Sequence, residues 1–111
     1  MKLIINADNF GLSKSITDGI VDGILTSTTI MANMDYAEYA IKQVIKNNIS
    51  CIGLHINLTV GMPIIKNNNL TDNNGVFLYN KMQIENEKLT YEDVYNEINA
   101  QIEKIKEYSN D

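Results

Sequence analysis

Apolar residues fall in short runs separated by polar turns, and their spacing changes along the chain. Lys2 to Asn6 carries a nearly continuous run, Leu3-Ile4-Ile5, the pattern of a strand buried on both faces. A polar turn, Asp8-Asn9-Phe10-Gly11, follows it. Ser13 or Ser15 can then cap a helix, with Asp18 three residues after Ser15 in the capping-box position and Ile16, Ile20 and Val21 as the apolar face. Gly23 ends that helix early, and a second strand rich in Thr and Ile is expected from Ile24 to Asn33.

Asp35 and Glu38 form another capping-box pair, and Ala37, Ala40, Ile41, Val44 and Ile45 recur at helical spacing until Asn47-Asn48. Strict alternation comes next, with Ile52, Leu54, Ile56 and Leu58 on one face and Cys51, Gly53, His55 and Asn57 on the other. Residues 59 to 89 are irregular and hold the only Pro, Pro63; Asn74-Gly75 suggests a tight turn into a short strand, Val76-Phe77-Leu78. The last element is a long helix capped by Thr90 with Asp93, carrying a stripe of Val94, Tyr95, Ile98, Ile102 and Ile105 that reads as core packing.

Strand, helix, strand, helix, strand, irregular segment and helix is the order of an α/β protein with a parallel sheet. Chemistry in such sheets gathers beyond the carboxyl ends of the strands. Asp8, Asn33 and His55 fall at or near three such ends, so separate parts of the chain converge on one candidate site. Each has a bland reading beside the functional one. Asp8 suits a turn or a cap, and His55, the only histidine, suits either a hydrogen-bonded strand residue or a metal ligand. Asn9 offers a hard cation a carbonyl oxygen without charge.

The 111 residues make one domain and are too few for a closed eight-fold (β/α) barrel. A net charge of −5, with no basic stripe, excludes a nucleic-acid binder. One cysteine, Cys51, makes no internal disulfide and has no second histidine to activate it. The opening apolar run is too short for a signal-peptide core, and no run reaches membrane-spanning length, so the expectation is a soluble, cytoplasmic chain without a membrane partner.

The segment Leu3-Ile4-Ile5-Asn6-Ala7-Asp8-Asn9-Phe10-Gly11-Leu12-Ser13 resembles the opening of the YdjC-type carbohydrate deacetylases, which carry Asn-Ala-Asp-Asp-Phe-Gly. Gly23 to Thr29 with Met34 resembles their second strand, and Gly53-Leu54-His55-Ile56-Asn57-Leu58-Thr59 with Gly61 and Pro63 their third. Glu97 and Gln101-Ile102 of the final helix also fit. The resemblance implies half of a distorted TIM-like (β/α) barrel that removes N-acetyl groups from amino sugars such as chitooligosaccharides. It implies a divalent cation, Mg²⁺ or alternatively Zn²⁺, with Asp8 as the catalytic base and His55 and Asn9 in the metal-binding positions.

Three departures accompany it. Asn9 stands where the family has an acid, which implies weakened cation binding. The first helix is shorter by about one turn, roughly 3.6 residues. The chain stops at Asp111 without the second metal-binding histidine, so the expectation is an N-terminal half with impaired turnover. The alternative is a non-catalytic half-barrel that binds sugar or docks with a partner, either another copy or a complementing chain.

Overall fold

Polar side chains, rather than the opening apolar run, set the first strand. The computed structural model describes residues 1–23, 25–67 and 69–109. In it β1 (Asn6–Phe10), β2 (Ser27–Ile30) and β3 (Ile52–Leu54) form a parallel sheet in the order β1-β2-β3. The helices are α1 (Lys14–Val21), α2 (Ala37–Lys46), α3 (Asn80–Ile84) and α4 (Tyr91–Ser109). This is the expected α/β fold of parallel strands alternating with helices. None of these helices is long and apolar enough to cross a membrane.

The strand bounds depart from expectation. β1 begins at Asn6, where the apolar run ends, and Leu3, Ile4 and Ile5 are exposed instead of buried on both faces. The reason lies across the ladder: Asn6 pairs with Ser27 and Ala7 with Thr28, whose hydroxyls bond to β1. The expected turn at Asp8-Asn9 is a bulge inside the strand, with Asn9 at φ 66°, and the chain turns only at Gly11. Gly11 sits at φ 90°, and a Cβ there would come within 3.0 Å of Ala37 Cα, so the close approach of α2 requires glycine. β2 is shorter than the span proposed for it; Ile24 lies outside the described residues.

Ser13, not Ser15, caps α1, its Oγ accepting from Ile16 N at 3.3 Å. Asp18 instead accepts from Tyr39 Oη at 2.6 Å and Lys14 Nζ at 2.5 Å. No side chain caps α2, whose N-cap is Tyr36; Glu38 pairs with Lys42 instead of closing a box with Asp35. The core is Phe10 and Ile30 of the sheet under Ala37, Ala40, Ile41 and Val44 of α2, four of the five residues the helical spacing predicts; the fifth, Ile45, is exposed.

Beyond Leu54 the expected alternation inverts. Ile56 is 54% exposed while Asn57 is 4% exposed, because the backbone leaves the sheet and Asn57 becomes the centre of a hydrogen-bonded loop. The Asn74-Gly75 turn forms, with Gly75 at φ 77°, but Val76-Phe77-Leu78 makes only an isolated antiparallel bridge, Thr71 to Phe77. The helix α3 carries no clear apolar face and was not anticipated. In α4 the predicted capping box forms: Asp93 N donates to Thr90 Oγ1 at 3.2 Å and Thr90 N to Asp93 Oδ2 at 2.9 Å. Its apolar stripe is core only in part: Ile105 packs against the core and Val94 and Ile98 are half-buried. Tyr95 and Ile102 are exposed, and the fully buried positions are Glu97 and Gln101.

Asp93 also accepts from Asn67 Nδ2 at 2.8 Å and Asn69 Nδ2 at 3.2 Å, tying the irregular loop to α4. The Asn67 amide first, then the Thr90 backbone and hydroxyl, hold its carboxyl down to about 2. A depressed carboxyl stabilises the fold above its unfolded value of about 3.9, and that contribution disappears as pH falls through about 2. In urea unfolding, wild type is therefore expected to exceed Asp93→Asn by a constant margin above about pH 4, and the margin is expected to shrink as pH approaches 2. A margin that grows on acidification would contradict this assignment.

Candidate functional site

The three strands present their carboxyl ends side by side, and β1 and β2 lock together through side chains. Ser27 Oγ donates to Asn6 Oδ1 at 2.6 Å, Thr28 Oγ1 to Ala7 O at 2.8 Å, and Thr29 Oγ1 to Asp8 Oδ1 at 2.7 Å. Asn6 Nδ2 donates to the same Asp8 oxygen at 2.9 Å. Both donors therefore hold Oδ1, and among the described residues Oδ2 accepts no hydrogen bond. Gly53 of β3 makes room for this arrangement, since a Cβ there would lie 3.3 Å from Thr29 Cγ2. Asp8 is exposed to solvent, so one carboxylate oxygen is oriented and the other is available to a ligand.

His55 follows β3 and is half-buried, its N–H donating to Ile30 O at 2.9 Å. Asn9 N donates to His55 Nδ1 at 3.3 Å, so the structure brings the Asp8-Asn9 bulge and the histidine together. That contact engages the Nδ1 lone pair. A cation bound at Nε2 would require the proton on Nδ1, and a cation bound at Nδ1 would displace the amide directly. Either mode breaks the Asn9 contact.

Asn33 does not join this pair. It acts as a strut, with Nδ2 donating to Val60 O at 3.0 Å and Met62 O at 2.9 Å and Oδ1 accepting from Asn57 Nδ2 at 2.7 Å. Asn57 Oδ1 accepts from Val60 N at 3.0 Å, and its backbone pairs with Gln101 of α4: Gln101 Nε2 donates to Asn57 O at 2.7 Å. Glu97 completes the support, its two oxygens accepting from Ile64 N at 2.8 Å and Ile65 N at 2.9 Å. Thr29, Asn6 and Asn57 were not singled out for these roles from sequence. In a strand, Thr reads as β propensity, and nothing local marks it as the partner of a carboxylate.

As arranged, the donor set is one carboxylate, one imidazole and one neutral amide. That falls short of the six oxygen ligands Mg²⁺ prefers. Among the described residues, no three His, Cys, Asp or Glu side chains gather closely enough to hold a metal ion. These residues do not close a metal site by themselves.

A carboxylate and an imidazole at the carboxyl edge of a parallel sheet define an α/β protein with a strand-end site. The family described as YdjC-like protein matches residues 2–110, and the chain belongs to that family. It is 44% identical to a carbohydrate deacetylase of Clostridium beijerinckii, over 95% of this chain and 44% of that protein. It is 39% identical to carbohydrate deacetylase 2 of Listeria innocua, over 97% of this chain and 45% of that protein. The crystal structure of a candidate cellobiose-phosphate cleavage protein from Enterococcus faecalis superposes with a TM-score of 0.83 at 31% identity, covering 95% of this chain and 43% of the other. The chain thus spans somewhat less than half the length of these relatives, and its sheet corresponds to part of a larger barrel.

Removing the Asn57 side chain leaves Asn33 Oδ1 and the Thr59 and Val60 amides without partners. Asn57→Ala is expected to cost about 1–3 kcal/mol in chemical denaturation. A change near zero would show that water replaces the network.

Proposed function

We propose that this chain is the N-terminal portion of a metal-dependent carbohydrate deacetylase that hydrolyses the N-acetyl group of amino sugars such as chitooligosaccharides. The orientation of Asp8 carries the reading: two donors hold Oδ1 and leave Oδ2 free, beside His55. In this reaction water attacks the acetyl carbonyl carbon while Asp8 Oδ2 accepts its proton. The C–N bond then breaks as that proton passes to the leaving nitrogen, giving acetate and the free amine. The names of the relatives support the substrate class, and free Cys51 suits a cytoplasmic setting.

A divalent cation, Mg²⁺ or Zn²⁺, is part of the proposal, with His55 and Asn9 contributing to its site. When bound, such an ion polarises the acetyl carbonyl. The incomplete donor set supports impaired turnover by these 111 residues alone. Exposed Leu3 and Ile4, which precede β1, and exposed Ile52 of β3 favour a second reading, association with another copy or with a complementing chain.

Two measurements test this. Acetate release from diacetylchitobiose is expected to be low for the chain alone. It should rise on mixing with a polypeptide that supplies the length the relatives have in addition. Asp8→Asn should lower that activity by about 10² or more; unchanged turnover would remove Asp8 from its role. Calorimetric titration of the metal-stripped chain should show weak Zn²⁺ binding that His55→Ala abolishes. Asn9→Asp should strengthen it by about tenfold, because ligand charge sets affinity. Binding indifferent to both substitutions would place the ion elsewhere.

A further inference from the structure

The irregular loop encloses a cavity of about 720 Å³ that the strand-end residues do not line. Its walls include Met62, Pro63, Lys66, Asp72, Asn73 and Asn74. We infer that this cavity is an accessory saccharide subsite, binding sugar units of an oligosaccharide beyond the one at Asp8; the inference rests on the carbohydrate reading above.

Three observations carry it. The cavity is built on anchored backbone. Glu97 holds the Ile64 and Ile65 amides, Asp93 holds Asn67, and Phe77 N donates to Gly61 O at 2.9 Å across the turn, with Leu70 and Phe77 buried beneath. Asn67, Thr71 and Asp72 in its wall are engaged in holding the loop, and three other polar side chains there are unspent. Asp72 Oδ1 is used in shaping the turn by accepting from Asn74 N and Val76 N, whereas no hydrogen bond among the described residues engages the Lys66, Asn73 or Asn74 side chains. The wall is also tied to the sheet, because Met62 O accepts from Asn33 Nδ2, just beyond the carboxyl end of β2, the strand beside β1.

The lining chemistry selects the ligand class. Two free amides and an ammonium offer donors and acceptors suited to sugar hydroxyls and N-acetyl groups. Met62, more than half exposed, and Pro63 offer an apolar surface for the face of a pyranose ring. Lys66 and Asp72 balance in charge, which suits a neutral saccharide. The volume lies within the range of small-molecule sites and is large enough for more than one sugar unit.

The test is amide chemical-shift mapping of the chain titrated with triacetylchitotriose and, separately, with N-acetylglucosamine. The trisaccharide is expected to move the resonances of Met62, Lys66 and Asn73 to Gly75. Lys66→Ala and Asn73→Ala, both at exposed positions, should each weaken its binding about threefold to tenfold with the unfolding midpoint unchanged. The monosaccharide should bind more weakly at these resonances. Shifts confined to Asp8, Thr29 and His55 would overturn the subsite and leave the deacetylase reading intact. Absence of any saccharide-induced shift at millimolar concentration would also overturn it. Loop shifts that persist while acetate release proves independent of Asp8 would support the subsite and defeat the catalytic reading instead.

Discussion

The Glu97 carboxylate, 1% exposed, is the interaction on which the second half of the chain depends. After Leu54 the backbone leaves the sheet and runs with little regular pairing until α3 begins at Asn80. Backbone N–H groups in such a segment need partners where water is excluded. An ionised carboxylate is acceptor-only and can satisfy several donors at once. Glu97 takes the Ile64 and Ile65 amides and the Gln101 side chain, and Gln101 in turn closes on Asn57. The buried face of α4 is therefore polar by necessity, and its Tyr95 and Ile102 are displaced onto an exposed flank.

A parallel logic governs β1 and β2. Ser27, Thr28 and Thr29 each donate a hydroxyl to the residue opposite: Asn6, the Ala7 carbonyl and Asp8 in turn. The ladder and the orientation of the candidate base are one structure. Losing the Thr29 hydroxyl would remove one of the two donors that hold Asp8 Oδ1, and Gly53 cannot gain a side chain without crowding Thr29. Three strands thus contribute to the placement of a single carboxylate oxygen, which is how a sheet edge positions chemistry that no single segment could hold.

Much of this was legible in the sequence wherever local pattern and tertiary demand coincide. The apolar spacing of α2 is the core face observed, and Thr90 with Asp93 forms the box that its spacing implies. Of Asp8, Asn33 and His55, expected to converge at the strand ends, the Asp8-Asn9 bulge meets His55 through the Asn9 N–H, whereas Asn33 braces the loop instead. The misses share one cause. Ile56 and Asn57 exchange places, and Glu97 lies inward, because long-range backbone satisfaction outweighs the preference of each side chain for water or oil. Asp35 and Ser15 have capping partners at the right spacing, but the chain enters each helix from a different residue. Leu3-Ile4-Ile5 reads as a buried strand, yet it precedes β1 and is exposed.

Asn9 joins the two levels of the argument. Its φ of 66° is a left-handed conformation that Asn tolerates better than most side chains, and the bulge there turns its N–H toward His55 Nδ1. Asn therefore serves the backbone role of this position. In the proposed metal site, the Asn9 side chain would bring no negative charge, and a cation would compete with the Asn9 N–H for the histidine ring. Under the proposed function, binding of an ion at His55 would release the Asn9 N–H from Nδ1, since neither ring nitrogen can take the ion while that hydrogen bond persists.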